Sequence, residues 1–249
     1  MSLEDKVALV TGAGSGVGRA SVLALLKKGY KVVLAGRRQE KLEETISLSN
    51  GAKGQTLVVP TDITIPDAVM GLFKQISKVY GRLDVLFNNA GFMIMGSLED
   101  LTLNEIRVQI NTDLMGPIHL TKLVLPHMKH GEEPGLIINM SAVAGKIGFS
   151  LSTSYCVSKF GIEGFTDSLR REMAMRNIKV CLIEAGLVHT KFFDNMTRAK
   201  KSHNSEYASE TAMMEGMINH IKTLENWTSA NDVAKKVIEI INEGAEKCK

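Results

Sequence analysis

Along this chain, short and uniformly apolar runs alternate with longer stretches in which apolar side chains recur every three or four positions. The first run, Lys6–Thr11 (KVALVT), reads as a buried strand. Val17–Lys28 carries helical spacing and is stopped by Gly29. The same alternation continues with a strand at Lys31–Ala35, a charged helix near Gln39–Leu48, a strand at Thr56–Pro60 and a helix near Asp67–Tyr80, whose first turn suits Pro66. Then come a strand at Leu83–Phe87, a long helix over much of Leu103–Met128, a strand at Leu136–Met140, a helix near Ser154–Met175 and a sixth strand at Ile178–Glu184. A last helix is expected near Asn231–Glu243.

Strands that are apolar at every position, each followed by a helix, imply a parallel sheet covered on both faces. Right-handed crossovers then give an α/β, doubly wound, Rossmann-like fold. With no internal repeat and no linker, residues 1–249 read as one domain. Residues 187–227 break the rhythm: they are rich in Met, Lys, Ser and Asn and show no strand. An irregular segment just after a strand's carboxyl end lies over the ligand crevice of such a sheet, so a substrate lid is expected here. The other reading is a surface insertion that merely packs.

Composition narrows the function. Lys+Arg of 30 against Asp+Glu of 27 leaves a net charge of +3, and the basic clusters are short (Arg198–Lys201), so no nucleic-acid partner is expected. Cys156, Cys181 and Cys248 lack metal-ligand spacing and read as reduced thiols, with no metal site. No secretory leader and no membrane-spanning run is evident, so a cytoplasmic protein without membrane insertion is expected.

The chemistry begins after the first strand, at Thr11-Gly12-Ala13-Gly14-Ser15-Gly16-Val17-Gly18. GxGxxG fails because position 19 is Arg19; the pattern that fits is TGxxxGxG. Glycines there permit positive φ and close backbone approach, and the helix that follows aims free N–H groups at a pyrophosphate. The second strand ends in Arg37-Arg38, where an acid would favour NAD by binding the ribose 2′-hydroxyl. Two arginines instead suit a 2′-phosphate, so NADP(H) is the expected cofactor. Solvated arginines at a helix start are the alternative.

Together with Asp62, Asn88-Asn89-Ala90-Gly91 and Tyr155-Cys156-Val157-Ser158-Lys159, this order and spacing resembles the short-chain dehydrogenase/reductase family, NADP-dependent type, from Lys6 to about Thr190. The resemblance implies a cofactor cradle of Gly12, Ser15, Gly16, Val17 and Gly18, with Arg37 and Arg38 beside the ribose. It puts Asp62 and Ile63 at the adenine, and Asn89, Ala90 and Gly91 on the floor. Gly186, Val188 and Thr190 would lie at the nicotinamide, although Ala185 stands where the family usually has Pro. Tyr155 would donate or accept the proton and, with Lys159, contact the cofactor. A lysine four residues on shares the helix face, and with an oxidised nicotinamide it favours phenolate.

Two family positions differ. The active-site Ser, thirteen residues before the Tyr, is Ala142, and the Asn of the long helix is Asp113. Ser141 adjoins Ala142 but should point to the other face of its strand, and Asn111 should lie on another side of its helix. Asp113 can still serve a proton relay, yet its charge partly offsets the pull of Lys159 on Tyr155. Ala142 and Phe149 are expected on the substrate side, and Phe92, Met93, Met95, Phe192, Phe193 and Met196 could form an apolar pocket or ordinary packing under the lid. The expected activity is interconversion of a small-molecule carbonyl and alcohol. The alternative is an NADP(H)-binding sensor or scaffold, or an inactivated enzyme. The resemblance also implies a homodimer through the two long helices. The family's seventh strand has no counterpart, so it is either absent or cut off, and a tetramer is not expected.

Overall fold

The computed structural model describes residues 6–49, 55–128, 134–224 and 227–243, the side chain of His203 excepted. Six parallel strands form the main sheet: β1 (Val7–Thr11), β2 (Lys31–Gly36), β3 (Thr56–Pro60), β4 (Val85–Asn88), and, after a two-residue β5 (Ile94–Met95) outside this sheet, β6 (Gly135–Ala142) and β7 (Ile178–Ala185). Their order is β3-β2-β1-β4-β6-β7, so the direction of winding reverses between β1 and β4. That reversal is where an open α/β sheet leaves a crevice beyond its carboxyl ends.

Strand alternation sorts the core into two layers. Val7, Leu9, Val33, Leu86, Ile137 and Val180 face one side. They meet Leu72 and Phe73 of α3 (Pro66–Val79), Leu120 and Val124 of α5 (Gly116–Met128) and Leu169 of α6 (Thr153–Met173). Ala8, Val10, Val32, Leu34, Phe87 and Ile138 face the other. There they meet Leu25 of α1 (Gly16–Lys27), Leu42 of α2 (Gln39–Ser47) and Val237 of α8 (Ala230–Glu243). Both faces being dry is why these strands read as continuous apolar runs; each fully buried Leu or Val contributes about 1.5–3 kcal/mol.

The long helix expected at Leu103–Met128 forms, but in three pieces. A capping box starts α4 (Leu103–Ile110): the N–H of Glu105 donates to Thr102 Oγ1 at 3.2 Å and that of Thr102 to Glu105 Oε2 at 2.9 Å. A π-helical turn, Asn111–Met115, separates α4 from α5, closed by the N–H of Gly116 on the carbonyl of Asn111. Gly116 is needed because a Cβ there would lie 2.9 Å from the side chain of Ile63. The extra residue of the π-turn turns Asp113 inward, where it is buried, and leaves Asn111 exposed.

Two expectations need correction. Residues 187–227 are more ordered than read: they contain the 15-residue helix α7 (Ala208–Lys222), and two short strand pairs anchor them. β8 (Val188–His189) pairs with β10 (Thr228–Ser229), and β9 (Thr197–Arg198) with β5. The helix escaped notice because its apolar residues are spread around it, with Met213 and Met217 exposed and only Thr211 and Ile218 buried. Second, Cys181 is disulfide-bonded, so the three cysteines are not all reduced thiols; Cys156 is free and buried. Pairing depends on spatial proximity, which spacing along the chain does not report. The expectation about a seventh main-sheet strand concerns residues 244–249, outside the described residues. No described helix is long and apolar enough to cross a membrane.

Candidate active site

The glycine loop forms a cradle that side chains would fill. Gly12 and Gly16 have φ of 65° and 52°, in the left-handed region. A Cβ on Gly18 would lie 2.3 Å from the carbonyl oxygen of Gly12 and 2.7 Å from Asn89 Nδ2. Ser15 caps α1 in an extended conformation but spends no side-chain hydrogen bond on it, and the first turn holds no acid. The N-terminal amides of α1, with Val17 half-buried among them, are therefore free to meet an anion.

Two residues that sequence reasoning passed over hold the cradle in shape. Thr11 Oγ1 accepts the N–H groups of Asn89 and Ala90, both at 3.0 Å, while Asn89 Nδ2 donates to the Thr11 carbonyl at 2.9 Å. This ties the Asn88–Gly91 run to the loop. Arg19, the residue that spoils GxGxxG, donates to the carbonyl of Gly14 at 2.7 Å, to Thr45 Oγ1 at 3.2 Å and to Glu44 at 2.9 Å. It fixes the loop to α2. The signal that could have found it was its place one turn into a helix whose N-terminus had to stay open.

Arg37 and Arg38 stand exposed at the end of β2, and neither side chain makes a hydrogen bond or ion pair among the described residues. Asp62 is turned onto its own loop, its Oδ1 accepting from Thr64 N–H at 2.9 Å and Thr64 Oγ1 at 2.7 Å. Ile63 is buried against Gly116. These fit a nucleotide: an open glycine cradle, uncapped amides and two uncommitted guanidiniums.

At the carboxyl end of β6 the structure brings Tyr155, Lys159 and Asp113 together. Lys159 Nζ is 5.6 Å from the centre of the Tyr155 ring and donates to the Met140 carbonyl at 3.2 Å. It lies 3.6 Å from Asp113 Oδ2, an ion pair too long for a hydrogen bond. Asp113 Oδ1 accepts the Phe92 N–H at 3.2 Å, whereas Oδ2 is buried without a donor. Burial pushes the Asp113 carboxyl up to about 6, against the opposing pull of Lys159. Tyr155 is also raised, well above a phenol's ordinary value, by burial first, then by the Asp113 charge and the Cys156 thiol. In the protein alone Lys159 is paired with Asp113 and the phenol is dry, so the phenol lies high; the lowering expected for Tyr155 was for a bound, oxidised nicotinamide.

Ala142 is half-buried and packs into an apolar cluster with Tyr155. β6 runs through this point without a bulge, Ser141 pairing with Glu184 and Ala142 with Ala185. Ser141 therefore points away, its hydroxyl donating to Glu163 Oε1 at 2.6 Å. Of the expected apolar residues, Met93, Met95, Phe192, Phe193 and Met196 join the cluster around Tyr155. Phe92 packs with Ile94 and Leu101 instead, and Phe149 is 43% exposed. Phe192 lies over the Tyr155 ring at 5.9 Å. Just beyond β7, Gly186 is exposed and Val188 half-buried. The Thr190 side chain faces the loop, 3.3 Å from where a Gly16 Cβ would be, and its Oγ1 accepts the Phe192 N–H. Beside Leu151, a member of the cluster, a cavity of about 630 Å³ opens between the loop after β5 and the start of α7.

Hydride chemistry on a nicotinamide requires a nucleotide held at the sheet's carboxyl edge and a proton-transferring group within reach of it; this fold gathers the residues for both at one edge, the arrangement of a nucleotide-dependent oxidoreductase. Comparison with known proteins identifies which kind. The short chain dehydrogenase family profile matches residues 6–201. The chain is 35% identical over 214 residues to mouse dehydrogenase/reductase SDR family member 7B, covering 84% of this chain and 66%, just under two thirds, of the mouse protein. It is 35% identical over 207 residues to 3-ketodihydrosphingosine reductase of Bacteroides thetaiotaomicron, covering 83% and 73%. Among solved structures, a short-chain dehydrogenase from Streptomyces avermitilis superposes with a TM-score of 0.85 at 27% identity, over 98% of this chain and 86% of that one. A Burkholderia phymatum short-chain dehydrogenase/reductase in complex with NAD gives 0.86 at 26% identity, over 98% and 88%. This chain belongs to the short-chain dehydrogenase/reductase family of NAD(P)-dependent oxidoreductases.

Proposed function

We propose that this protein is an NADP(H)-dependent carbonyl reductase or alcohol dehydrogenase in which Tyr155 transfers the proton and Lys159 assists it. The observation that carries the reading is the grouping of Tyr155 and Lys159 with Asp113 beside an open glycine cradle. The cofactor supplies hydride. The chain holds its phosphates on Gly12, Ser15, Gly16, Val17 and Gly18, and its 2′-phosphate on Arg37 and Arg38. Asp62 and Ile63 flank the adenine, and Asn89, Ala90 and Gly91 form the floor. Gly186, Val188 and Thr190 hold the carboxamide end. Residues 187–227 act as the substrate lid of a single domain. The apolar cluster around Tyr155 favours an apolar carbonyl substrate, with Ala142 on its wall and Phe149 at the rim.

Exposed Val108 and Met115 on the α4–α5 helix and Val157 and Phe160 on α6 support a homodimer through these helices. The competing reading, a nucleotide-binding sensor or an inactivated enzyme, draws support from Ala142, which offers no donor to a carbonyl oxygen. Absorbance of NADPH with a panel of aldehydes and ketones, 3-ketodihydrosphingosine among them because one relative is named for it, tests the choice. Turnover that Tyr155→Phe abolishes while NADPH binding persists establishes the enzyme. Binding without turnover by the chain as it stands establishes the sensor or the inactivated enzyme.

A further inference from the structure

Behind Tyr155, Lys159 and Asp113 form an ion pair with side chains 7% and 0% exposed. Asp113 Oδ2 has no hydrogen-bond donor and lies 3.2 Å from where a Gly91 Cβ would be, so its open side faces the run that forms the crevice floor. A buried carboxylate oxygen without a donor is costly, and the charge that offsets it here is Lys159. With Asn in this position, as the family usually has, the lysine charge under the floor would stand uncompensated. With Asp113 the floor is neutral overall.

Resting on the nucleotide reading above, we infer that Asp113 sets the preference between the two redox forms of the cofactor: by cancelling the charge of Lys159, it lets the chain hold the oxidised, cationic nicotinamide about as firmly as the reduced, neutral one. The two forms differ by one positive charge on the ring and share every phosphate. The ratio of their dissociation constants therefore reports the charge of the floor, while contributions from Arg37, Arg38 and the glycine cradle cancel. Asp113 is a positioning residue here, acting on the ring through the field it shares with Lys159.

The groups around Asp113 are few. Lys159 faces it from α6, and Tyr155 and the Cys156 thiol lie on the same helix. The 88–92 run presents only the backbone N–H of Phe92, and β6 presents the Met140 carbonyl through Lys159. No other ionisable side chain among the described residues acts on Asp113. Its carboxyl, held at about 6, gives the inference a second handle. Below that pH the proton is taken up, the lysine charge is uncovered, and the oxidised form should bind less well.

NADPH fluorescence titration and displacement by NADP⁺, on the full chain and on Asp113→Asn, test this. In the variant the ratio of Kd for NADP⁺ to Kd for NADPH should rise roughly tenfold, since a unit charge is uncovered in a low-dielectric site. The NADPH value itself should move less than about threefold. In the unaltered chain the same ratio should climb as pH falls through about 6, and in the variant it should stay level. A ratio that does not move, or a loss of both forms together, overturns the inference. The pH series on the unaltered chain decides the matter even if the variant folds poorly. If the unaltered chain binds neither form, the nucleotide reading itself falls, and this inference with it.

Discussion

Ser141 and Ala142, adjacent on β6, face opposite sides of the sheet: the Ser141 hydroxyl is tied to Glu163 at 2.6 Å, and the Ala142 methyl belongs to the Tyr155 cluster. The chain thus keeps a serine at this strand end, with its hydroxyl committed to Glu163 rather than to the Tyr155 cluster. Restoring a hydroxyl with Ala142→Ser should raise the rate of carbonyl reduction by about 10²-fold, the scale on which one donor to a developing oxyanion acts. Ser141→Ala should leave that rate within about twofold and cost about 1 kcal/mol of stability, because it removes the hydroxyl donor from a half-buried carboxylate oxygen of Glu163. Steady-state kinetics and urea unfolding of both variants check the pair of outcomes.

The two uncommitted guanidiniums at the end of β2 make the cofactor choice separable from folding. Replacing Arg37 and Arg38 together by Glu should weaken NADPH by at least about tenfold, since charge-assisted hydrogen bonds contribute about 1.5–3 kcal/mol each, while NADH binding changes little. Melting temperature should hold, because neither side chain makes a contact that the fold depends on. Equal weakening of NADPH and NADH would count against a 2′-phosphate site.

Gly18 tests the cradle itself. Its missing Cβ faces backbone, the Gly12 carbonyl 2.3 Å away, which cannot swing aside as a side chain could. Gly18→Ala should lower stability by about 1–3 kcal/mol and abolish NADPH binding at concentrations that saturate the unaltered chain. Gly71, with open space around it, is the control: Gly71→Ala should bind normally.

The buried carboxyl of Asp113 also leaves a mark on stability. Its folded value, about 6, lies above its ordinary 3.8, so between these the folded chain holds a proton that the unfolded chain has lost. Stability therefore falls as pH rises from about 4 to about 6, by about 3 kcal/mol, and is level on either side. Exposed acids with lowered values, such as Glu44 and Asp232, act in the opposite sense at lower pH. Subtracting the unfolding free energies of Asp113→Asn across a pH series removes them, and the remaining slope should have the stated sign.

The chain's own pattern determined the architecture. Six apolar runs became six strands at nearly the expected bounds, because residues such as Leu9, Val10, Val33 and Leu34 are dry on both sheet faces and leave no polar alternation to misread. The glycine loop, Tyr155 and Lys159 were legible for a related reason: positive φ and a four-residue helical spacing are local requirements that particular residues must meet. The tertiary structure alone decided the rest. That Asp113 points inward depends on a π-turn that no spacing rule reveals, and its field depends on Lys159, some forty-six positions along the chain. Helix α7 is held by contacts of Ile218 with the Tyr155 cluster rather than by an amphipathic stripe of its own. The grip of Arg19 on Gly14, Thr45 and Glu44 joins the loop to a helix more than twenty residues away. Local chemistry is written in neighbouring residues; burial, ion pairing and the field at a site are set by which distant segments the fold brings within a few ångströms.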